Sequence, residues 1–520
     1  MLLSSEFLAE LLLLAPLAGA VLVWLPKAWA ARTGDDVVNR LQDYITTGTS
    51  LASLVLILMI AGISHGALRF RVGFMEFYLD SLSVFFLLLV SLVAFVASCY
   101  AGPCWARRSG TGALDRTLFY SLFNLFHFTM VLVPMVSNLA VLWIGIELTT
   151  VTSTVLVASE RSREHFEAAW KYIIITSTGI IFALLGTLFL ASAIPLDKYP
   201  HPSMSWPDLV GLARDLDPNL VRLSFLFVLI GYGTKAGFAP MHTWLPDAHG
   251  QAPYPVSALL SGVLLKSALY AILRFFTITN AALRDGGLFT SHMLLGTGLI
   301  SLVVATPFIL KQNPFKRILA YHSLEHMGII TLGIGIGGPI ALFGALLHVL
   351  NHGVTKSLMF LAYGNIQDNY PSDQATGPAE PGREGVLRAM PWTGSCLALG
   401  GLALVGSPPF SIFLSEFLIL WGAVAKVIVQ PTVWLAVSIV VFLLSVTLIF
   451  GGLIRHLSRI LLGKPPDHVR AERPRQVIPL LSLLVVVVVL GLVIPDSGPI
   501  DLRRLLEESI VIVCGSEGCR

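Results

Sequence analysis

The feature that most constrains this chain is a series of long apolar runs, each the length that an α-helix needs to cross a bilayer. The hydrocarbon core is ~30 Å thick, and about 20 helical residues span it. Because only helices and closed barrels satisfy their backbone polar groups in lipid, we predict an all-α polytopic membrane protein. It should have about 14 transmembrane helices, since the sequence holds fourteen such runs: 5–25, 48–66, 80–102, 117–136, 138–159, 167–194, 220–241, 252–276, 290–311, 315–336, 340–364, 389–425, 430–454 and 476–495.

Composition supports this class. Of the 520 residues 55% are hydrophobic and only 12% are charged, whereas a soluble domain averages about 25% charged residues. So low a charged fraction indicates that the chain is surrounded by the lipid bilayer. The net charge of +3 is too small to indicate a nucleic-acid partner. Five cysteines show neither metal-ligand spacing nor a disulfide framework. Cys514 and Cys519 could pair at the tail, but we expect free terminal thiols there.

Two of the runs contain helix breakers. The twelfth run is too long for one straight crossing and contains Ser407-Pro408-Pro409, and the seventh ends in Gly237-Phe238-Ala239-Pro240. We therefore predict discontinuous helices at both places. The first run carries Glu6 and Glu10 and no leading basic residue, which is the wrong charge for a signal peptide, so we expect a retained helix.

Lysine and arginine predict the orientation. Loops after odd-numbered runs hold twenty of these residues, and loops after even-numbered runs together with the C-terminal tail hold eleven. Because cytoplasmic loops are enriched in basic residues, both termini should lie outside the cytoplasm.

Six ionisable residues remain well inside the apolar runs. Each costs ~2.5–3.5 kcal/mol at the centre of a bilayer. Buried ion pairs that hold helices together are one explanation, but small-residue packing does this without desolvating charges. Burial favours the neutral form of a lysine, so a buried lysine beside a carboxylate is a switchable proton site. The six residues are Glu147, Lys235, Lys266, Glu325, Lys356 and Glu416.

Histidines extend this pattern in the eleventh run. His348, His352 and Lys356 are spaced by four residues and therefore share one face of a helix over ~12 Å. Imidazole both donates and accepts a proton near neutral pH. A proton wire is therefore favoured over three unrelated packing residues.

One short motif imitates a metal site. His322-Ser-Leu-Glu325-His326 matches the H-x-x-E-H pattern of one class of zinc proteases, but so short a pattern is often met by chance and this one lies in an apolar run. No phosphate-binding glycine loop, nucleotide fingerprint or catalytic triad is present. We expect no catalytic residue, no metal and no cofactor in this chain.

A longer motif resembles a known family. Gly233-Thr-Lys235-Ala-Gly-Phe-Ala-Pro-Met-His242-Thr-Trp-Leu-Pro-Asp247-Ala-His249, followed by Ala252-Pro253, resembles the signature of the antiporter-like subunits of respiratory complex I, multisubunit sodium/proton antiporters and group 4 hydrogenases. The resemblance covers about residues 75–455. Asn124-Leu-Phe-His127 and Ser261-Gly-Val-Leu-Leu-Lys266 are most similar to the F-type subunit of the hydrogenase branch.

The resemblance implies an architecture. Predicted helices four to eight (117–276) and nine to thirteen (290–454) would form two inverted repeats, with helices seven and twelve discontinuous. Residues 1–116 would supply three N-terminal helices, and 455–520 the last helix and the tail. The chain departs from the longest complex I paralogue, because only a short amphipathic segment near 500–513 follows the last run.

The resemblance also implies residue roles. Glu147 would pair with Lys235, while Glu416 in the second broken helix would be an acidic terminal group. The implied proton path comprises Glu147, Lys235, Lys266, His348, His352, Lys356 and Glu416. Secondary candidates are Asp80, His242, Asp247, His322, Glu325 and His326.

The implied function is proton translocation by a membrane subunit of a complex I-like respiratory or hydrogenase complex. The redox chemistry would belong to partner subunits (NADH dehydrogenase-like or hydrogenase), and the location would be the bacterial inner membrane. Two alternatives stay open: a sodium/proton antiporter subunit, and a proton-driven energising subunit of a bicarbonate-uptake complex, which the shared core also resembles.

Overall fold

The computed structural model describes residues 4–28, 34–63, 66–73, 75–105, 114–283, 285–311, 314–370, 384–497 and 501–514. The first half of this part of the chain contains a hairpin, β1 (Leu68–Val72) and β2 (Met75–Leu79), twelve α-helices, a 3-10 turn (Ala213–Asp215) and a π-helical turn (Leu260–Leu264). The helices are α1 (Ser5–Leu22), α2 (Leu25–Ala28), α3 (Asp35–Ile63), α4 (Ser81–Trp105), α5 (Arg116–Met135), α6 (Leu139–Val157), α7 (Arg163–Ser192), α8 (Trp206–Gly211), α9 (Pro218–Ala236), α10 (Trp244–Gln251), α11 (Tyr254–Leu259) and α12 (Leu265–Ala282).

The second half is helical wherever it is regular. Its helices are α13 (Leu288–Lys311), α14 (Phe315–Ile336), α15 (Pro339–Asn369), α16 (Val386–Ala389), α17 (Pro391–Leu404), α18 (Ser411–Val429), α19 (Val433–Leu461), α20 (Pro474–Leu492) and α21 (Leu502–Cys514). Helix α13 packs along α14, as α7 does along α9, and α15 packs against α17, α18 and α20. The division of the chain into two inverted repeats stays a prediction.

The polytopic all-helical class is confirmed, although the predicted number of crossings is not. Within the described residues, 11 helical segments are long and apolar enough to cross a membrane. The other three predicted crossings coincide with α9, α14 and α15, which fall outside that group. These helices hold Lys235, Lys356 and the four histidines His322, His326, His348 and His352, and such polar residues lower mean hydropathy.

Both predicted helix breaks are confirmed. Helix α9 ends at Ala236, Gly237 takes a left-handed φ of 77°, and regular helix resumes only at Trp244 of α10. Helix α17 ends at Leu404, and α18 begins at Ser411 after a turn in which Gly406 has a φ of 66°. Each break places backbone groups among the buried ionisable side chains.

Two regular elements differ from the prediction. Helix α3 begins at Asp35 rather than near residue 48, because its polar first half is held by α5: Gln42 Nε2 donates to Thr117 Oγ1 at 2.8 Å, and Tyr120 Oη donates to Asp43 at 2.5 Å. The β1–β2 hairpin was not predicted. Its strands are only five residues long, and their pairing brings Phe70 opposite Phe77.

The count of basic residues in loops includes Arg274, but Arg274 does not lie in a loop. It lies inside α12, completely buried, and its two terminal nitrogens donate to both carboxylate oxygens of Asp80 at 2.8 and 2.6 Å. Its guanidinium also lies 3.9 Å from the ring centre of Trp206. This ion pair fixes α12 to the start of α4.

The predicted amphipathic segment near the C-terminus is α21. Its apolar side, which includes Leu502, Leu506 and Ile510, is buried against α4, α12 and α15. Cys514 at its end is disulfide-bonded, so the expectation of a free thiol there is wrong. Cys519 lies outside the described residues, and the thiols of Cys99 and Cys396 are free.

Candidate functional site

Lys235 is held by two hydroxyl groups. It lies in the last turn of α9, directly before the break, and is completely buried. Its ammonium donates to Thr150 Oγ1 of α6 at 2.7 Å and to Tyr172 Oη of α7 at 2.6 Å. Tyr172 Oη is also 2.8 Å from Ser153 Oγ. The lysine of α9 is therefore bound by neutral oxygens from two other helices, α6 and α7.

Glu147 is close to Lys235 but does not contact it directly. Among the described residues, no carboxylate lies within 4.0 Å of the lysine nitrogen, although the two charges are near enough to interact. Glu147 Oε1 instead accepts from Ser177 Oγ at 2.7 Å, and its second oxygen has no hydrogen-bond partner in the described chain. Glu147 and Lys235 therefore interact through their charges at a distance, and the hydroxyl of Thr150 takes the place of the carboxylate as the direct partner of the lysine.

Lys266 is positioned by an irregular turn that was not predicted. Residues Leu260–Leu264, between α11 and α12, form a π-helical turn, and the Lys266 ammonium donates to the carbonyl of Ser261 within it. Such wide turns occur frequently at functional sites. Ser261 Oγ also lies 2.7 Å from Ser323 Oγ, which links this turn to α14.

Lys356 lies deep in α15 and donates to the carbonyl of Leu319 on α14. Lys266 is near enough for the two charges to repel each other. Two like charges at low dielectric disfavour being charged together. Protonation of one of these lysines therefore disfavours protonation of the other.

Two buried residues beside this lysine pair were missed as candidates. His249 of α10 is fully buried, stacks on Phe360 at 5.1 Å, and has no hydrogen-bond partner on either ring nitrogen in the described structure. Lys316 was counted as a loop residue, but it is buried and donates to the carbonyl of Ala252 at 2.5 Å. His249 ends the recognised motif, which was the available signal.

Four imidazoles, His322, His326, His348 and His352, form a histidine cluster between α14 and α15. His326 Nδ1 lies 3.0 Å from His348 Nε2, and the ring centres of His326 and His352 are 4.7 Å apart. His348 and His352 share one face of α15, as their spacing predicted, with ring centres 6.4 Å apart. The cluster therefore extends sideways between helices as well as along α15.

Carboxylates lie at both sides of the histidine cluster. Glu325 Oε2 is 2.8 Å from His322 Nδ1. Glu416, in the first turns of α18, offers an oxygen within 4.8 Å of donor atoms of His326 and His348. Ser415 Oγ, next to Glu416 in the chain, is 2.9 Å from His348 Nδ1. The structure thus brings the candidates of α14, α15 and α18 into one buried group.

The remaining secondary candidates lie apart from this group. Asp80 is the partner of Arg274. Asp247 joins Lys171 at 3.3 Å and Arg317 at 3.1 Å, in a partly exposed network that links α7, α10 and α14. His242 packs against Tyr321, with ring centres 6.2 Å apart. These contacts are those of residues that fix helix ends.

The site as a whole can hold and pass protons. Its groups are amines, imidazoles and carboxylates, each of which exists in two protonation states. The partners of the three lysines are hydroxyls and carbonyls, which accept from a charged group, and hydroxyls also donate to a neutral one. Nothing in this set resembles a nucleophile with its base.

The comparisons agree with the family that the motif resembles. The family described as NADH:quinone oxidoreductase/Mrp antiporter, transmembrane region, matches residues 136–447. A hydrogenase-4 component F homolog of Methylacidiphilum infernorum (isolate V4) is 37% identical over 426 residues, which are 81% of this chain and 86% of the relative.

Solved structures share the fold at low sequence identity. A chain of the membrane-bound sulfane sulfur reductase, an archaeal respiratory membrane complex, superposes with a TM-score of 0.82 at 22% identity and covers 97% of both chains. A chain of the Mrp complex from Dietzia sp. DQ12-45-1b gives a TM-score of 0.76 at 21% identity, again with 97% of both chains covered.

Proposed function

This chain belongs to the NADH:quinone oxidoreductase/Mrp antiporter transmembrane family, and we propose that it translocates protons as an antiporter-like membrane subunit of a complex I-like respiratory or hydrogenase complex. The observation that carries the proposal is the 3.0 Å contact between His326 and His348 in the buried interior. Two imidazoles at this distance share a proton, and such groups can relay it without a moving helix.

The proton path starts at Lys235 and ends at Glu416. Glu147 stabilises the protonated Lys235, so a disturbance of the Glu147 charge releases the proton toward Lys266. A displacement of a few ångströms at low dielectric changes a pair energy by several kcal/mol. Repulsion between Lys266 and Lys356 then favours transfer onward to the histidine cluster and Glu416.

Neighbouring membrane subunits supply that disturbance. Glu147 lies on a face of α6 whose apolar residues Ile144, Leu148 and Val151 are exposed. The similar solved chains come from a respiratory membrane complex and an Mrp complex. We infer that a partner subunit covers this face, and that the redox chemistry resides in further partners.

We infer a bacterial inner-membrane location with both termini outside the cytoplasm. The basic residues favour this orientation. The disulfide bond of Cys514 supports it, because disulfides persist in oxidising compartments such as the periplasm. Labelling a C-terminal tag in intact cells with a membrane-impermeant reagent tests the orientation, and protection of the tag until the cells are lysed would contradict it.

Sodium/proton exchange is the second candidate, since the family includes Mrp antiporters. The three fully buried lysines Lys235, Lys266 and Lys356 disfavour a sodium route through the interior, because a protonated lysine repels another cation. Radioactive sodium uptake into membrane vesicles, measured in parallel with proton uptake, separates the two candidates.

The experiment uses inverted vesicles that contain the chain in its native complex. Proton uptake during partner turnover should fall about tenfold or more in Lys235→Ala, since a proton-transfer group is lost. The matched control is Lys198→Ala, because Lys198 pairs with Asp215 in an exposed loop. Equal uptake per turnover in Lys235→Ala and wild type would contradict the proposal.

A further inference from the structure

Two residues of the histidine cluster and Glu416 place potential metal-ligand atoms close together, which proton relay alone does not require. His326, His348 and Glu416 come from three separate helices, yet one donor atom of each lies within 4.8 Å of the other two. Two imidazole nitrogens and one carboxylate oxygen form a typical ligand set for Zn²⁺ in proteins. All three side chains are at least nine-tenths buried.

We propose that His326, His348 and Glu416 form a binding site for a divalent transition-metal ion of the Zn²⁺ class. The ion would not be a cofactor. It would compete with the proton that His326 and His348 share, so metal binding and protonation of the site exclude each other.

The two nitrogens are nearly at the spacing that zinc needs. His326 Nδ1 and His348 Nε2 lie 3.0 Å apart. Tetrahedral zinc with bonds of ~2.0–2.1 Å separates its ligand atoms by about 3.3 Å. A separation of the two rings by a few tenths of an ångström therefore suffices, and one position of the tetrahedron stays open.

The surroundings of His348 support metal binding. A metal-ligating histidine usually donates its other ring nitrogen to a fixed acceptor, which sets the tautomer and the orientation of the ring. His348 Nδ1 lies 2.9 Å from Ser415 Oγ, while Nε2 points toward His326. Ser415 is itself held, because its hydroxyl lies 2.9 Å from the carbonyl of Ile412.

The Glu416 carboxylate occupies space beside the break between α17 and α18, where Gly406 has no side chain. A side chain at Gly406 would bring its Cβ to 2.3 Å from Glu416 Oε2, so only glycine leaves this space. Glu416 retains 7% exposure, whereas His348 has none, and a metal ion would therefore approach from the carboxylate side.

A second donor set on α14 overlaps with the first. His322, Glu325 and His326 also place donor atoms within 4.8 Å of one another. However, His322 Nδ1 is already bonded to Glu325 Oε2 at 2.8 Å, and all three residues lie on one helix. The set across three helices is the proposed one, and the alternative set is an outcome of the test.

The test measures Zn²⁺ binding to the purified complex without any transport assay, so its result is independent of the proposed function. Equilibration with ZnCl₂, followed by elemental analysis and X-ray absorption, should show one zinc with two imidazole ligands. His348→Gln and Glu416→Gln should each bind zinc at least about 100-fold more weakly, because they remove direct ligands and the loss of an outer-shell partner alone costs up to about 100-fold. Thermal unfolding of each variant shows whether it is folded.

Two control variants retain the site. His127→Gln changes another fully buried histidine, which lies on α5 outside the cluster, and His322→Gln removes a ligand of the alternative set only. Both should bind zinc as wild type does. Unchanged zinc affinity in folded His348→Gln, loss of zinc in His322→Gln alone, or a zinc spectrum of wild type without imidazole ligands would each overturn the proposal.

Discussion

At the scale of single residues, the buried lysines are bound by neutral oxygens. Lys235 donates to hydroxyls, and Lys266 and Lys356 donate to backbone carbonyls. In the part of the chain that the structure describes, none of the three has a carboxylate within 4.0 Å of its nitrogen. A lysine bound in this way can lose its proton without breaking a direct ion pair, which would cost several kcal/mol.

Lys235→Arg should abolish proton translocation although it preserves the charge, because a guanidinium does not lose its proton in a protein. Proton uptake per partner turnover, in vesicles that contain the assembled complex, is the measurement. Lys198→Arg in the exposed loop is the control. An arginine variant that pumps normally would mean that Lys235 acts only as a fixed charge.

Asp80→Asn should destabilise the protein by about 3–5 kcal/mol, because it leaves the Arg274 guanidinium buried without its carboxylate. The comparison is Arg503→Ala, since the exposed Arg503–Glu507 pair is worth only ~0–1 kcal/mol. The thermal midpoint of the purified protein in detergent measures both. Equal midpoints for the two variants would contradict a structural role of the buried pair.

The burial of an ionisable residue could be predicted where its charge interrupts an apolar run, whereas a role in a proton path stays a prediction. Lys235, Lys356 and Glu416 stand out in this way, since a charge in the middle of a run is costly. Arg274 and Lys316 lie near the ends of runs and were read as loop residues, because the sequence does not show how far a helix continues inside the protein. The contact of His326 with His348 crosses two helices, and no spacing rule reports it.

At the scale of helices, both breaks contain a glycine with a left-handed backbone conformation. Gly237 and Gly406 take left-handed backbone conformations that a side chain would strain, and each follows the end of a helix directly or within two residues. Lys235 lies just before the first break and Glu416 just after the second. The sequence predicted both breaks from glycine and proline.

Gly406→Ala should displace the Glu416 carboxylate and cost about 1–3 kcal/mol through backbone strain. Both the thermal midpoint and proton uptake per turnover should fall. Gly451→Ala in α19 is the control, because a Cβ there would meet no atom within 4 Å. If the two alanine variants behave alike, the space beside Glu416 is not needed.

The beginning of α3 and the β1–β2 hairpin could not be predicted from apolar run length. The first half of α3 is polar, and only its partners on α5 stabilise it in helical form. The hairpin gains stability from the bridge between Phe77 and Val136 at the end of α5. Both elements depend on contacts that are distant in the chain.

At the scale of the whole molecule, the ionisable groups follow one another across the helices from α6 to α18. Along the chain a carboxylate stands first, three lysines follow with the histidines between them, and Glu416 stands last. This order is the basis for the proposed direction of the proton path within the plane of the membrane.

Glu416→Gln should slow proton translocation while partner turnover continues, because the amide keeps the size of the side chain but carries no exchangeable acid proton. Proton uptake and partner turnover, measured in one vesicle preparation, give the ratio that decides the outcome. An unchanged ratio would show that protons leave by another route.

The π-helical turn Leu260–Leu264 determines in which direction around the helix axis each side chain of α12 points. Each residue advances an α-helix by about 100°, so one residue more or fewer in this turn would swing the whole of α12 by that angle. Lys266 would then leave the interior it shares with Lys356, and Arg274 would turn away from Asp80 in the same motion. A single wide turn therefore sets the positions of both Lys266, the proposed proton carrier, and the Arg274–Asp80 ion pair that anchors its helix, and neither can be moved without the other.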